Sequence, residues 1–419
     1  MDRLQIDGGR RLEGTVAIAG AKNAALPQIA ASLLSPYPLT LTNLPKVADV
    51  SNMLGVVGRH GVAVAPNGAH AATLDAGPAN HLEAPYDVVR KMRATVLVLG
   101  PLVARFGRAR VSLPGGCAIG ARPIDLHLKV LAQLGASVAV DGGYIEAHAP
   151  DGLAGTRIVL AMPSVGATQT AMMAATYARG ETEIVNAACE PEIFDLAACL
   201  GAMGARIEGA GTHRILVQGE TKWQAARHHT IPDRIEAGTY AIAAAITGGH
   251  LELTGARLEH LGALAQMLET VGARIWPTDR GLMVSREAKL VAADISTEPY
   301  PGFPTDLQAQ YMALMAVAEG AAAIRETVFE NRFMHVPELV RMGADIALRG
   351  STALVRGRAK LVGAPVMATD LRASVCLVLA GLAAEGTTIV SRVYHLDRGY
   401  EDLARKLVRC GAAISRVPE

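Results

Sequence analysis

Aromatic side chains are scarce in this chain: Trp 2, Tyr 9 and Phe 5 make up 4% of 419 residues. Any large core must therefore be built from Ala, Val, Leu, Ile and Met. Half of the residues are hydrophobic, so such a core can be filled. Neither sign of charge is in excess, since 40 basic and 39 acidic residues leave +1. That balance excludes a general nucleic-acid binder, which needs a basic surplus and aromatic platforms for bases. It leaves room for a local basic pocket. No apolar run reaches the roughly 18 residues of a membrane span; residues 375–384 are about the longest. The opening MDRLQ lacks an apolar signal core. The five cysteines, 117, 189, 199, 376 and 410, are odd in number and form no CxxC pair. A cytoplasmic protein with free thiols and no membrane partner is expected. The twelve histidines show no HExxH spacing, and no GxSxG elbow occurs, so neither a metal site nor a cofactor is expected.

What is present is a repeat. HGVAV at 60–64, LGASV at 134–138, MGARI at 203–207, VGARI at 271–275, MGADI at 342–346 and CGAAI at 410–414 recur at intervals of 68–74 residues. Each follows an amphipathic helical pattern, where a glycine can close the helix in the left-handed conformation. Each opens an alternating pattern that predicts a β-hairpin, as in Ser137–Val140, a turn at Asp141-Gly142-Gly143, and Tyr144–Ala147. Earlier in the units lie almost wholly apolar helical runs, at 167–178, 237–246, 308–318 and 374–383. A helix apolar all round must be buried all round. The expected fold is α/β: two inside-out lobes, each of three repeated units with buried helices and outer sheets. A cleft between the lobes is the natural ligand site. An open solenoid is the competing architecture, but the terminal copies carry no obvious polar cap.

Several residues stand out for chemistry. Cys117 lies in the glycine-rich run LPGGCAIGARP, beside Arg122. Such a thiol is either electrostatically poised for reaction or an ordinary loop thiol. The G-x-x-x-x-G of this run lacks the Lys-Ser/Thr of a phosphate loop, which excludes a nucleotide hydrolase. Lys22 and Asn23 follow Gly20 at a predicted helix start, with Asn23 as its cap. A lysine there opposes the helix dipole unless an anion joins it. Thr305-Asp306 and Thr369-Asp370 both precede buried helices, where N-capping is the ordinary role. Arg93 and Arg398 read as arginines at helix starts, suited to carboxylate or phosphate.

Taken together, GAKNAALP at 20–27, LPGGCAIGARPIDLH at 113–127, PSVGAT at 163–168, PDRIEAGTY at 232–240, FPTDLQAQ at 303–310, TVFENRFMHVPEL at 327–339, ATDLRAS at 368–374 and HLDRGYE at 395–401 resemble the enolpyruvyl transferases that act on UDP-N-acetylglucosamine. The resemblance runs end to end. It implies lobes of residues 1–21 plus 231–419 and of residues 22–230. It implies transfer of enolpyruvyl from phosphoenolpyruvate to the sugar 3′-hydroxyl with release of phosphate, the first committed step of peptidoglycan synthesis. Cys117 would be the acid that protonates carbon, and Asp306 would accept the hydroxyl proton. Lys22, Asn23, Arg122, Arg372 and Arg398 would hold phosphoenolpyruvate. Arg93, Arg122, Pro123, Ile124, Asp125, Leu126, Ser164, Val165, Gly166, Asp306 and Val328 would line the nucleotide-sugar site. Asp370 would stand beside the reacting centre. Fosfomycin, an epoxide, would alkylate Cys117. Many members of this group carry lysine where this chain has Met162. The alternatives are a shikimate-type enolpyruvyl transferase, whose acceptor is a small acid and which lacks the PGGC run, and a non-catalytic paralogue that binds the sugar nucleotide.

Overall fold

The computed structural model describes residues 2–90, 92–113 and 124–418. They form two compact units, residues 20–113 with 124–231 and residues 2–19 with 232–418. Each unit has its own hydrophobic core.

Each unit also has three four-stranded sheets, and all six sheets share one plan. A short strand pairs in parallel with the strand that follows a buried helix, and two antiparallel strands complete the sheet. Thus Arg157–Val159 runs parallel to Glu181–Val185, which pairs with Arg214–Gln218, whose hairpin partner is Arg206–Glu208. The six repeat glycines, 61, 135, 204, 272, 343 and 411, all have φ between 90 and 113°. Each follows an amphipathic helix and turns the chain into its strand, a conformation that costs a residue with Cβ extra energy. In the second copy the hairpin strands Ser137–Asp141 and Tyr144–His148 are joined by Gly142 and Gly143, at φ 53° and 82°. Two positive φ values are what a type I′ turn requires.

The sixth copy departs from the expected plan. CGAAI at 410–414 opens the strand Ala413–Pro418, which does not pair with a neighbouring hairpin arm among the described residues. Its partner is Asp2–Asp7 from the other end of the chain, antiparallel from Asp2↔Pro418 to Asp7↔Ala413. The hairpin pattern is a local one, so it could not reveal a partner about 400 residues away.

The buried helices are Lys22–Ala31, Leu99–Phe106 and Val165–Ala175 in one unit, and Arg234–Thr247, Gln308–Met315 and Val375–Ala383 in the other. The last three pack on one another. Gly238 leaves room for two leucines: a Cβ there would stand 2.5 Å from Leu307 Cδ1 and 2.9 Å from Leu264 Cδ2. The amphipathic helices, such as Ala48–Arg59 and Pro191–Ala202, bury one side only. Among the described residues no helix is long and apolar enough to cross a membrane.

Candidate active site

Asp306 lies in the 3-10 turn Thr305–Leu307 that leads into the buried helix Gln308–Met315. The N-cap position of that helix is Leu307, which makes no side-chain cap bond. Asp306 Oδ1 accepts a hydrogen bond from Arg332 Nη2 at 2.6 Å. Arg332 Nη1 donates to the Thr305 hydroxyl at 2.9 Å, and that hydroxyl donates to Glu326 Oε2 at 2.8 Å. Glu326 Oε1 receives the backbone N–H groups of Val328 and Phe329 at 2.8 and 3.1 Å. One buried carboxylate thus ties the Val328 turn to the Asp306 turn. Burial would depress the Arg332 guanidinium, but the charges of Asp306 and Asp370 outweigh burial and hold it above the ordinary arginine value. Arg332 is therefore a fixed cation beside Asp306.

Asp370 does act as a cap. Its Oδ1 accepts the N–H groups of Arg372 and Ala373 at 2.9 and 2.6 Å, in the turn before Val375–Ala383. Arg372 is almost wholly enclosed. Nη2 pairs with Asp233 Oδ2 at 2.8 Å, Nη1 donates to the Gly399 carbonyl at 3.0 Å, and the guanidinium lies 5.2 Å from the Tyr400 ring centre. Its Nε has no hydrogen-bond partner among the described residues. Asp233 Oδ1 also caps the helix Arg234–Thr247 through the N–H groups of Ile235 and Glu236. Burial pushes the Asp233 carboxyl up; Arg372 and those N–H groups outweigh it and hold it below the usual carboxylate range. The pair thereby anchors Gly399, the neighbour of Arg398. Arg398 ends the 3-10 turn Val393–Arg398, which corrects its expected place at a helix start.

In the other unit, Lys22 is the first residue of its helix and is buried. Its Nζ meets Asp49 Oδ2 at 3.3 Å, so an internal carboxylate offsets part of the conflict with the helix dipole. Asn23 is not the cap: Ala21 occupies that position, without a side-chain bond, and Asn23 lies inside the first turn. An asparagine beside an alanine attracts the capping reading by residue type, but the cap falls two residues earlier, at Ala21. Ser164 caps Val165–Ala175, its Oγ accepting from Ala167 N at 3.3 Å. Gly166 gives room for the His127 ring, since a Cβ there would stand 2.9 Å from its Cε1 and Nε2. His127 Nδ1 bonds the Thr170 hydroxyl at 2.8 Å. Asp125 pairs with Lys129 at 3.0 Å, and Leu126 packs into the core. Arg93 and Asp125 both act electrostatically on His127. His127 in turn packs on the Ser164–Gly166 helix start. The Met162 side chain is exposed.

Two imidazoles are held neutral. Burial, then Arg93, pushes His127 down to about 4; burial pushes His335 down to about 3. The unfolded chain takes up these protons below about pH 6.5 while the folded chain does not. Stability is therefore present at neutral pH and falls as pH drops from about 6.5 toward 4, by about 1.4 kcal/mol per pH unit for each histidine. His335→Gln should flatten this dependence by one proton. Urea titrations between pH 4.5 and 6.5 read the slope, and an unchanged slope would mean that the folded imidazole is protonated.

Cys117, Arg122 and Pro123 lie outside the described residues. Arg332, Glu326, Asp233 and Asp49 were not singled out by sequence reasoning. Asp233 could have been found as an aspartate directly before an apolar helix, but its pairing with Arg372 has no local signal. Among the described residues no group of three acidic, histidine or cysteine side chains could hold a metal.

The family model for EPSP synthase (3-phosphoshikimate 1-carboxyvinyltransferase) matches residues 6–407. UDP-N-acetylglucosamine 1-carboxyvinyltransferase 2 of Mesorhizobium japonicum is 72% identical over 417 residues, with 100% of each chain covered. UDP-N-acetylglucosamine 1-carboxyvinyltransferase of Granulibacter bethesdensis is 59% identical over 418 residues, again with 100% of both covered. Among solved structures, the enolpyruvyl transferase NikO from Streptomyces tendae has 27% identity and a TM-score of 0.89, covering 100% of this chain and 99% of that one. A family model and relatives that span the repeats, the Asp306–Arg332 pair and the capped helix starts alike leave one assignment: the chain belongs to the EPSP synthase family of 1-carboxyvinyl (enolpyruvyl) transferases.

Proposed function

We infer that this chain transfers enolpyruvyl from phosphoenolpyruvate to the 3′-hydroxyl of UDP-N-acetylglucosamine and releases phosphate. The observation that carries this reading is full-length identity of 72% to a relative named for that acceptor. Protonation of C3 of the enol makes C2 electrophilic. The 3′-oxygen then attacks C2 and gives up its proton, forming a tetrahedral phospho-ketal. Loss of a C3 proton and of phosphate restores the double bond. Three needs follow: an acid for carbon, a base for the hydroxyl, and cations for carboxylate and phosphate.

Cys117 is the acid in this reading, and Asp306 is the base. Arg332 keeps the Asp306 carboxylate aimed through its 2.6 Å hydrogen bond. Lys22, Asn23, Arg122 and Arg398 hold phosphoenolpyruvate. Arg372 contributes to that site, with its terminal nitrogens committed to Asp233 and Gly399. Arg93, the residues 122–126, Ser164, Val165, Gly166 and Val328 receive the nucleotide sugar, where a helix start suits an anionic group. The exposed Met162 brings no charge to that task. The setting is peptidoglycan precursor synthesis in the cytoplasm, on which cell shape and division depend, with fosfomycin as an expected inactivator. The lobes of the reaction are residues 1–21 with 231–419 and residues 22–230.

The test is phosphate release from phosphoenolpyruvate with each acceptor in turn. Release with UDP-N-acetylglucosamine and none with shikimate 3-phosphate is expected. Release only with the shikimate ester would transfer the chain to the other acceptor, and release with neither would make it a binding protein.

A further inference from the structure

The sheet of Glu83–Ala84, Arg108–Ser112, Tyr144–His148 and Ser137–Asp141 has an outer face that no step above uses. Its register fixes what that face presents. Arg108 stands opposite His148 and Arg110 opposite Glu146, while Ala109, Val111, Ile145 and Ala147 point into the core. The Arg110 row is compensated twice: the guanidinium meets Glu83 at 3.0 Å and Glu146 at 3.1 Å, and lies 3.7 Å from the Tyr144 ring centre. The next row is not. Arg108 has no acidic partner among the described residues, and it faces an imidazole, where an opposite charge would have stabilised the pair.

These two side chains border a cavity of about 650 Å³ that also takes in Arg59 and His81. Arg59 ends the helix Ala48–Arg59, and its ion pair with Asp87 is loose, at 3.6 Å between two exposed side chains. The cavity is therefore polarised. One end offers two guanidinium groups and two imidazoles; the other has two carboxylates already bound to Arg110. A single phosphoryl group suits the first end, because arginine forks grip it bidentately. A second anion would meet Glu83 and Glu146, whereas hydroxyl groups could donate to them. The volume exceeds that of inorganic phosphate and lies within the range of small-molecule sites.

We propose that this groove binds a phosphomonoester with a neutral, hydroxylated body, of sugar-phosphate size, at a site separate from the reacting residues. Among the described residues, none of those assigned to the reaction lines it. The probe is glucose 6-phosphate, titrated calorimetrically into the full-length protein with UDP-N-acetylglucosamine saturating its own site. A single site is expected in the wild type. Arg108→Glu should weaken it at least about tenfold, by replacing a bidentate donor with a like charge. His148→Gln, a milder change on an exposed face, should weaken it less. Neither variant should alter turnover in the absence of the probe. Equal binding of sulfate, which would mean an adventitious ion only, overturns the proposal. So does unchanged affinity in both variants, and so does no binding to the wild type.

Discussion

Cys117→Ser will leave less than about a hundredth of the wild-type kcat for phosphate release. General acid catalysis contributes roughly 10²–10⁴ in rate, and the serine hydroxyl is far too weak an acid to protonate carbon. A thiol with its ordinary pKa of about 8.5 is mostly protonated at neutral pH and is an effective donor. Cys117→Asp restores a group that can donate a proton, so it should retain activity while losing the thiol that an epoxide or iodoacetamide would alkylate. The remaining cysteines sharpen this test. Cys189, Cys199, Cys376 and Cys410 are all buried, and burial pushes every one of their thiols up. Low levels of alkylating agent should therefore add one label to the native wild type and none to Cys117→Asp, as read by mass spectrometry. Full turnover in the serine variant would remove Cys117 from the role of acid.

Asp233→Ala will destabilise the unit of residues 2–19 and 232–418 by about 3–5 kcal/mol, because it strands the enclosed guanidinium of Arg372 without its carboxylate. About 1 kcal/mol of further loss comes from uncapping the helix Arg234–Thr247. Asp233→Asn keeps an acceptor for the cap and should fall between. The double variant Asp233→Ala with Arg372→Met should regain most of the loss, since an apolar side chain no longer needs a partner there. Urea unfolding of these variants and of Arg372→Met alone reads these differences. Strictly additive effects would show that the two side chains are not energetically coupled. The pH dependence has a definite sign: the carboxyl is held below its unfolded value, so its contribution is complete at neutral pH and is lost as pH falls through the folded pKa. Activity gives a second readout. Arg372 anchors Gly399, so loosening the pair should raise KM for phosphoenolpyruvate through Arg398.

The sequence exposed most clearly what is local. A glycine after an amphipathic run predicts a left-handed residue, and all six such glycines have it. An apolar run without a polar side predicts an enclosed helix, and Val375–Ala383 buries eight of its nine residues. The Asp-Gly-Gly turn at 141–143 predicts a tight hairpin, and the register there confirms it. What stayed hidden depends on residues that meet only after folding. Asp233 and Arg372 are 139 positions apart, and neither flanking sequence marks the other as its partner. Asp306 was legible as a residue before a buried helix, whereas the buried arginine that aims it was not. Asn23 shows the opposite failure: a good capping residue type stands two positions too late to cap.

The pairing of Asp2–Asp7 with Ala413–Pro418 has a consequence for biogenesis. At about 5–20 residues per second, roughly 20–80 s separate the ribosome's delivery of these two strands. Until then the first strand can pair only with Thr387–Ser391, itself a late product. The unit of residues 20–113 with 124–231 is free to mature early, while the opening segment must wait, available to holding chaperones, until the closing one emerges.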